Sequence, residues 1–334
     1  MSFLLCEAER RIGKENQLIK LSLMLDWERI GSMLTGLYLY DINGKGGQKP
    51  YDSVKMFKSL LLGQWHDLSD ASLENALRLR LDFMLFTMFE DDVPDETTIC
   101  RFRNLLIDRG LDEELFCEVN RQLEELGLKV EECSGAVVDA TVIESASRPN
   151  KVVKTMANDR EEDAGDDASK NEIEYSKDPD ARWLKKGKRY HFGYKGFVTT
   201  DSTDGYIENV HVTPANESEV KNLENALGNV DPKRVYGDKG YASKKNREYL
   251  KSRGIKDGIL SKAKRGKPLT PWEKRRNKLL SKVRFVVEQA FGTLKRRFKA
   301  GRATYIGLKK VAAELRFKAI CFNLLKAVNK VKLA

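Results

Sequence analysis

The spacing of hydrophobic residues changes along the chain, and the change divides it into two parts. In residues 1–128 apolar side chains recur every three or four positions, as in "SVKMFKSLLLGQW" and "SLENALRLRLDFMLFTMF", which is typical of amphipathic helices. In "VPDETTICRFRNLLIDRGL", Asp95 is placed to cap the start of a further helix and Gly110 to end it. The pattern predicts an all-helical N-terminal domain over residues 1–128.

From residue 134 onward apolar and polar residues alternate, which is typical of β-strands. The segments "SGAVVDATVI", "YHFGYKGFVTT" and "YIENVHVTP" predict three strands, and "DSTDG" predicts a tight turn between the last two. Helices near "ESEVKNLENAL" and "SKKNREYLKSRG" then alternate with short strands at "RVYGD" and "KDGIL". A long helix from Pro271 to about Ala300 follows. The order βββαβαβα predicts an α/β domain with a mixed sheet over residues 129–334, against which "VAAELRFKAICFNLLKAV" packs as an amphipathic helix.

A polar segment separates the first two predicted strands. It covers residues 148–189, and its centre, "NDREEDAGDDASKNEIEYSKDPD", is acidic and almost free of large apolar side chains. Such a composition buries too little apolar surface to offset the entropy of folding. We expect part of this insertion to be mobile.

The net charge of +10 is unevenly distributed along the chain. Residues 1–130 carry a net charge of −7 and residues 131–250 one of −4, whereas residues 251–334 carry +21, with 25 Lys and Arg against four Asp and Glu. A basic block of this size indicates a polyanionic partner such as DNA, although a solvated basic face has the same composition.

The remaining composition excludes several classes of protein. No run of 18 apolar residues is present, and the N-terminal residues do not resemble a signal peptide, so we expect a cytoplasmic protein without a membrane partner. The five cysteines form no CxxC pair, which favours a reducing compartment and argues against a structural zinc site. The three histidines have no metal-binding spacing and are interpreted as structural: His66, His191 and His211.

Three carboxylates occupy positions where an acidic residue needs an explanation. Asp139 interrupts the apolar strand "VVDATVI", Asp238 ends the strand in "VYGDKGY", and Glu288 lies among apolar residues of a basic helix. An unpaired carboxylate is costly in such surroundings. Acids on three separate segments are able to meet at one site.

The helix that carries Glu288 adds two cations to the same face. At about 100° per residue, Arg284, Glu288 and Lys295 fall within about 40° of one another, at the edge of an apolar stripe. An ordinary Arg–Glu pair one turn apart has the same spacing. Asp139 and Asp238 are what favour a functional interpretation.

Taken together, these motifs resemble the DDE transposases of bacterial insertion sequences, in the IS4/IS-five-like grouping with an RNase H-like catalytic domain. The resemblance extends over nearly the whole chain: "PDETTICRFRNLL", "VVDATVIES", "DPDARWLKKGK", "HFGYKG", "VTPANESE", "YGDKGY" and the series from Arg284 through Glu288 to Lys295 occur in the family's order. Ser281 stands where the family pattern has a tyrosine.

The resemblance implies an enzyme that cuts and joins DNA strands by two-metal phosphoryl transfer. Asp139, Asp238 and Glu288 would be catalytic and would hold two Mg²⁺ ions, with Mn²⁺ as a substitute, and hard oxygen ligands suit both ions. Asp139 would bridge the two ions. The implied partners are double-stranded DNA, as terminal inverted repeats and target, and a second copy of the chain on that DNA. The implied location is the cytoplasm, at the nucleoid.

Further residues are candidates for DNA contact because they are cationic or aromatic and lie near these motifs. Each also has a structural alternative, such as a turn lysine or a tryptophan that packs on the core. The candidates are Arg284, Lys295, Lys239, Trp183, Lys185, Lys186, Arg101 and Arg103. The last two lie on a helix that would suit a helix-turn-helix or any small bundle.

Three other functions fit parts of the sequence. A metal-dependent nuclease of the same fold would cut DNA without joining it, and an inactive DNA-binding regulator would need only the basic block. A glycosidase would use paired carboxylates, but nothing in its reaction needs so many basic residues.

Overall fold

The computed structural model describes residues 3–13, 15–38, 49–90, 92–130, 133–150, 154–156, 172–174, 176–263 and 266–331. Its first part is helical, as predicted. The helices are α1 (Phe3–Ile12), α2 (Gln17–Met24), α3 (Trp27–Met33), α4 (Ser53–His66), α5 (Asp70–Leu79), α6 (Leu81–Thr87), α7 (Glu96–Asp108) and α8 (Leu111–Glu125). The start of α7 is confirmed, because the carboxylate of Asp95 accepts a hydrogen bond from the Thr98 amide at 2.6 Å. Gly110 follows α7 with a φ of 72°, a conformation that glycine adopts without strain.

The second part is built on a six-stranded mixed sheet. The strands of the chain are β1 (Ala136–Glu144), β2 (Lys154–Met156), β3 (Glu172–Glu174), β4 (Arg182–Lys186), β5 (Arg189–Asp201), β6 (Ile207–Pro214), β7 (Arg234–Gly237) and β8 (Lys256–Ile259). β5 pairs antiparallel with β1, β4 and β6. On the other side of β1, β7 and then β8 run parallel to it. The predicted turn before β6 is confirmed, with Gly205 at a φ of 69°.

The described residues of the predicted insertion contain three strands that the sequence pattern did not indicate: β2, β3 and β4. β4 pairs with the start of β5 as a hairpin whose turn includes Gly187, at a φ of 62°. β2 and β3 pair with each other, away from the main sheet. The expected mobility of part of residues 148–189 stays a prediction, and residues 151–153, 157–171 and 175 of this insertion lie outside the described residues.

Helices cover the sheet and link it to the first part of the chain. They are α9 (Leu223–Leu227), α10 (Lys244–Ser252), α11 (Pro271–Val283), α12 (Phe285–Arg296) and α13 (Leu308–Lys330), with 3₁₀ turns at Glu219–Lys221 and Lys239–Tyr241. The prediction of one helix from Pro271 to about Ala300 was wrong, because Arg284 separates α11 from α12. Pro271 does occupy the first turn, behind a Thr270–Glu273 capping box.

The last helix packs on the sheet as expected, but it is not amphipathic. α13 contacts β6, α4 and α8, and three of its polar residues are buried among them: Glu314, Lys318 and Asn323. Glu314 and Lys318 form an ion pair within it. The prediction of an amphipathic helix was wrong because neighbours cover both of its faces.

The apolar core is continuous between the two parts of the chain. One cluster joins the N-terminal helices, α13 and the face of the sheet that carries Ile143, Tyr194 and Val198. A second cluster lies on the other face, around Val138 and Phe197. The division into domains at residue 128 stays a prediction. No helix within the described residues is both long and apolar enough to cross a membrane.

Candidate active site

The sheet register places two of the predicted catalytic acids side by side. Val138 of β1 pairs with Gly237 of β7 in a parallel ladder. Each of these residues is followed directly by an acid, Asp139 in β1 and Asp238 after β7. Parallel strands point their carboxyl ends toward the same edge, so the two carboxylates leave neighbouring strands at the same level. Both are partly exposed, at 19% for Asp139 and 33% for Asp238.

A single guanidinium contacts both acids. Arg284 donates from Nη2 to Oδ2 of Asp139 at 2.7 Å, and its Nη1 lies 3.5 Å from Oδ1 of Asp238. Burial lowers the pKa of Arg284, but the charges of Asp139, Asp238 and Glu288 outweigh it and leave that pKa raised. Arg284 is therefore a permanent cation between the two carboxylates.

Glu288 lies one helical turn after Arg284, in the first turn of α12. Its amide donates to the Arg284 carbonyl at 3.3 Å, and its carboxylate is exposed and near enough to raise the pKa of Arg284. The three predicted acids therefore act on one arginine. In this arrangement no group of three or more His, Cys, Asp or Glu side chains within the described ranges lies close enough together to hold a metal ion.

Two lysines from distant segments interact electrostatically. Lys186 ends β4, and Lys295 lies in the last turn of α12. Partial burial and the charge of Lys186 both lower the pKa of Lys295. Neither lysine forms an ion pair in the described part of the chain, although the charge of Lys186 partly offsets the rise that burial causes in the pKa of Glu219. The two ammonium charges repel each other, and an added anion relieves that repulsion.

The structure adds an acid that the sequence reasoning missed. Glu219 approaches the site from the 3₁₀ turn Glu219–Lys221, where its Oε1 lies 3.9 Å from Nζ of Lys195. Burial raises the pKa of Glu219, Lys195 lowers it, and the charges of Asp139 and Asp238 raise it further. Its carboxylate packs against Gly240, where an added Cβ would lie 2.2 Å from Oε2. The signal was present in the motif "VTPANESE", whose last acid is Glu219.

The β4–β5 hairpin carries the predicted aromatic and basic DNA contacts. Trp183 is 45% exposed, and its ring also packs on Phe192 with centroids 5.2 Å apart, so the proposed stacking and packing roles both fit. Lys185 is exposed, with Nζ 5.2 Å from the centre of the Tyr190 ring. Tyr190 itself is 63% exposed.

The two arginines of α7 differ in what their guanidinium groups can reach. Arg101 is exposed. Arg103 is 5% exposed and donates to both carboxylate oxygens of Asp70. A buried, paired guanidinium is not accessible to DNA, so the prediction of a DNA contact was wrong for Arg103.

The other two predicted positions lie at the surface. Lys239 is exposed, and its amide donates to Oδ1 of Asp238 at 2.7 Å. Ser281, at the position of the family's tyrosine, is exposed, and its hydroxyl donates to the Asn277 carbonyl of its own helix at 2.8 Å.

Comparison with known families covers both parts of the chain. Residues 133–324 match the family described as Transposase DDE domain, and residues 6–105 match a Transposase domain (DUF772). The chain belongs to the DDE transposase family, whose members in general depend on divalent metal ions.

A similar protein indicates which kind of transposase the chain is. The chain is 47% identical, over 233 residues, to the transposase for insertion sequence element IS1106 of Neisseria meningitidis serogroup B, a match that covers 69% of this chain and 78% of the relative. This confirms the prediction of a bacterial insertion-sequence transposase, an enzyme of DNA transposition. A structure of piggyBac transposase in a synaptic complex with hairpin DNA is also similar, with a TM-score of 0.47, 10% identity, and coverage of 96% of this chain and 76% of that one.

Proposed function

We propose that the chain cuts and joins DNA strands at the ends of an insertion sequence, with Asp139, Asp238 and Glu288 as its catalytic acids. The observation that carries this proposal is the parallel register of β1 and β7, which makes Asp139 and Asp238 neighbours. Glu288 lies one helical turn after Arg284, and Arg284 contacts both Asp139 and Asp238.

The strand order supports an RNase H-like fold for the catalytic part. The sheet runs β6-β5-β1-β7-β8, in which β5 is antiparallel to β1 and β6, and β7 and β8 are parallel to β1. We assign the chain to the IS4/IS-five-like grouping on the motifs quoted above.

The donor chemistry of the three acids suits a pair of Mg²⁺ ions, although in this arrangement the carboxylates do not yet lie close enough together to hold one. All three acids offer hard oxygen ligands, and Asp139 Oδ2 and Asp238 Oδ1 already converge on one positive charge, which is the arrangement that a shared cation needs. Asp139 would contact both ions, Asp238 one and Glu288 the other, with Mn²⁺ as a substitute. When bound, such ions activate the attacking oxygen and stabilise the leaving oxygen.

The chain's own cations would hold the DNA next to these acids. Lys186 and Lys295 form no ion pair in the described part of the chain and repel each other, and a phosphate bound by both would relieve that repulsion. The other proposed contacts with DNA are Arg284, Lys239, Trp183, Lys185 and Arg101. Two transposon ends have to be brought together, so we propose a homodimer on inverted-repeat and target DNA, at the nucleoid.

Substitution of the three acids tests the proposal. Asp139→Asn, Asp238→Asn and Glu288→Gln keep the side-chain shape and remove the charge that holds the metal. We expect each to lower Mg²⁺-dependent cleavage of insertion-sequence ends by about 10²-fold or more and to leave DNA affinity nearly unchanged. Asp231→Asn is the matched control, since Asp231 is 78% exposed and pairs with Arg253 alone in the described part of the chain.

The same assay separates the alternatives. Wild-type cleavage in any one variant would contradict the role of that acid. Cleavage by the unmodified chain without strand joining would favour the nuclease, and DNA binding without cleavage would favour the inactive regulator.

A further inference from the structure

Arg284 forms the contacts that a divalent cation would have to make. Its two terminal nitrogens lie 2.7 Å from Asp139 Oδ2 and 3.5 Å from Asp238 Oδ1, and these are oxygens of the proposed metal ligands. A metal ion bound to the same oxygens would lie beside the guanidinium, and two cations at that distance repel each other. Metal and guanidinium therefore compete for this position.

We propose that Arg284 is a displaceable counter-cation that couples metal binding to DNA binding. This inference rests on the proposed function of Asp139 and Asp238. Without metal, Arg284 neutralises the two carboxylates and holds them together. When a divalent ion binds there, the guanidinium leaves the carboxylates and binds a DNA phosphate, for which its planar fork is well suited.

The surroundings of Arg284 favour a movement of the side chain alone. The helix before it is fixed, because Arg276 donates to the carbonyls of Ile259 and Asp257 and Asn277 exchanges two hydrogen bonds with the Ser261 backbone. The guanidinium itself has a buried Nε without a hydrogen-bond partner among the described residues. Arg284 thus stands at the junction of α11 and α12 with part of its hydrogen-bonding capacity unused.

A released guanidinium would find its partner in the DNA itself. The last quarter of the chain carries 25 Lys and Arg against four Asp and Glu, and a basic block of this kind attracts the phosphates of a polyanion. By thermodynamic linkage, DNA that draws Arg284 away tightens metal binding, and metal tightens DNA binding by the same factor.

Two other roles for Arg284 predict different results. A purely structural ion pair would leave metal affinity unchanged when it is removed. A residue that holds the carboxylates in the geometry that metal needs would lower metal affinity when removed. A displaceable counter-cation is the role for which removal raises metal affinity.

The experiment measures Mn²⁺ binding to the full chain by electron paramagnetic resonance, with and without a short mixed-sequence DNA duplex. Arg284→Met removes the charge and retains much of the side-chain volume, and Arg284→Gln serves in its place should the first variant fail to fold. Arg275→Met is the matched control, because Arg275 is exposed on α11. Thermal melting establishes that each variant is folded.

We expect the duplex to tighten Mn²⁺ binding to the unmodified chain by a factor of about 5 to 150, the range of typical couplings. Arg284→Met should bind Mn²⁺ more tightly by a similar factor without DNA, and the duplex should then add little. Arg275→Met should match the unmodified chain in the absence of DNA. Unchanged or weaker Mn²⁺ binding by Arg284→Met would overturn the inference.

Asp139→Asn, measured in parallel, distinguishes this inference from the proposed function. If Asp139→Asn loses Mn²⁺ while Arg284→Met behaves as the unmodified chain, the counter-cation role alone is wrong. If Asp139→Asn binds Mn²⁺ and cleaves DNA as the unmodified chain does, the assignment of Asp139 as a metal ligand is wrong, and the inference fails with it.

Discussion

Arg103 and Asp70 form a two-point ion pair in which both guanidinium–carboxylate hydrogen bonds are 2.7 Å long. The Arg103 guanidinium also lies 4.2 Å from the centre of the Tyr305 ring. These contacts join α7 to the start of α5 and to the segment before α13. The pair therefore connects the N-terminal helices with the C-terminal part of the chain.

Removal of Arg103 should cost stability. Arg103→Met leaves Asp70 without its partner, and we expect the free energy of unfolding to fall by about 2–3 kcal/mol. This is less than for a fully buried pair, because the Asp70 side chain is 27% exposed. Urea denaturation measures the change. The control, Arg101→Met, removes an exposed arginine from the same helix and should change stability by less than about 0.5 kcal/mol.

The same two variants should affect DNA affinity in the opposite order to their effect on stability. Arg101→Met should weaken affinity for insertion-sequence ends, whereas folded Arg103→Met should keep it. Equal loss of affinity in both variants, at a temperature where both are folded, would restore Arg103 as a DNA contact.

Removal of Lys186 and Lys295 should reduce the salt dependence of DNA binding. Each lysine that neutralises a phosphate contributes about 0.9 to the slope of log K against log salt. The double variant Lys186→Ala, Lys295→Ala should therefore lower that slope by about 1.8 and weaken binding to transposon ends. Its melting temperature should not fall, because neither lysine has an ion-pair partner in the described part of the chain.

The test of these lysines includes a control variant and an outcome that would contradict the prediction. Lys244→Ala removes a lysine whose side chain is 91% exposed and pairs with Glu248, and it should leave the melting temperature unchanged. A lower melting temperature for the double variant, with intact end affinity and cleavage, would show a structural role for the lysines instead of a phosphate contact.

Sequence pattern predicted the order of the main strands, because alternation along a strand is local. It also indicated that Asp139 and Asp238 lie on or at the end of strands and Glu288 on a helix, as the structure has them. It could not predict contacts that depend on the partner of a charged residue. The sequence did not reveal that Arg103 is paired, because its partner Asp70 lies 33 positions away in the chain. Glu219 was overlooked because its closeness to Asp139 and Asp238 arises from the packing of two 3₁₀ turns that no periodicity indicates.

The C-terminal helix illustrates the same limit for polar residues. Asn323 is fully buried in α13, although the periodicity of its segment suggested an amphipathic helix. Its Oδ1 accepts from the Ile207 amide at 2.9 Å, and its Nδ2 donates to Asn120 Oδ1 at 2.7 Å and to the Ile207 carbonyl at 2.9 Å. One side chain of α13 thus satisfies polar groups of two other elements, α8 and β6.

Asn323→Ala should therefore destabilise the whole chain. It leaves the buried Ile207 amide without an acceptor and opens a small cavity, and we expect the free energy of unfolding to fall by about 3 kcal/mol. Asn329→Ala is the matched control on the same helix, because Asn329 is exposed and accepts one long hydrogen bond from Gln17. Equal stability of the two variants in urea would contradict the role assigned to the network.

His66 predicts how stability responds to acid. Its ring lies 5.1 Å from the Phe83 ring, and its buried Nε2 has no partner among the described residues. Burial, followed by the charge of Arg80, lowers the pKa of His66 from 6.5 to about 4. The unfolded chain therefore binds a proton at a higher pH than the folded chain does. The stability that His66 contributes is complete above pH 6.5 and is lost as the pH falls toward 4.

The variant His66→Phe removes this proton-binding difference. Between pH 6.5 and 4, the slope of unfolding free energy against pH should be smaller in the variant than in the unmodified chain, by up to one proton per molecule. Carboxylates titrate in the same range but are common to both proteins, so their contribution cancels in the comparison. Urea denaturation at several pH values gives both slopes. Identical slopes would mean that His66 takes up its proton equally in the folded and unfolded chains, which its burial without a hydrogen-bond partner opposes.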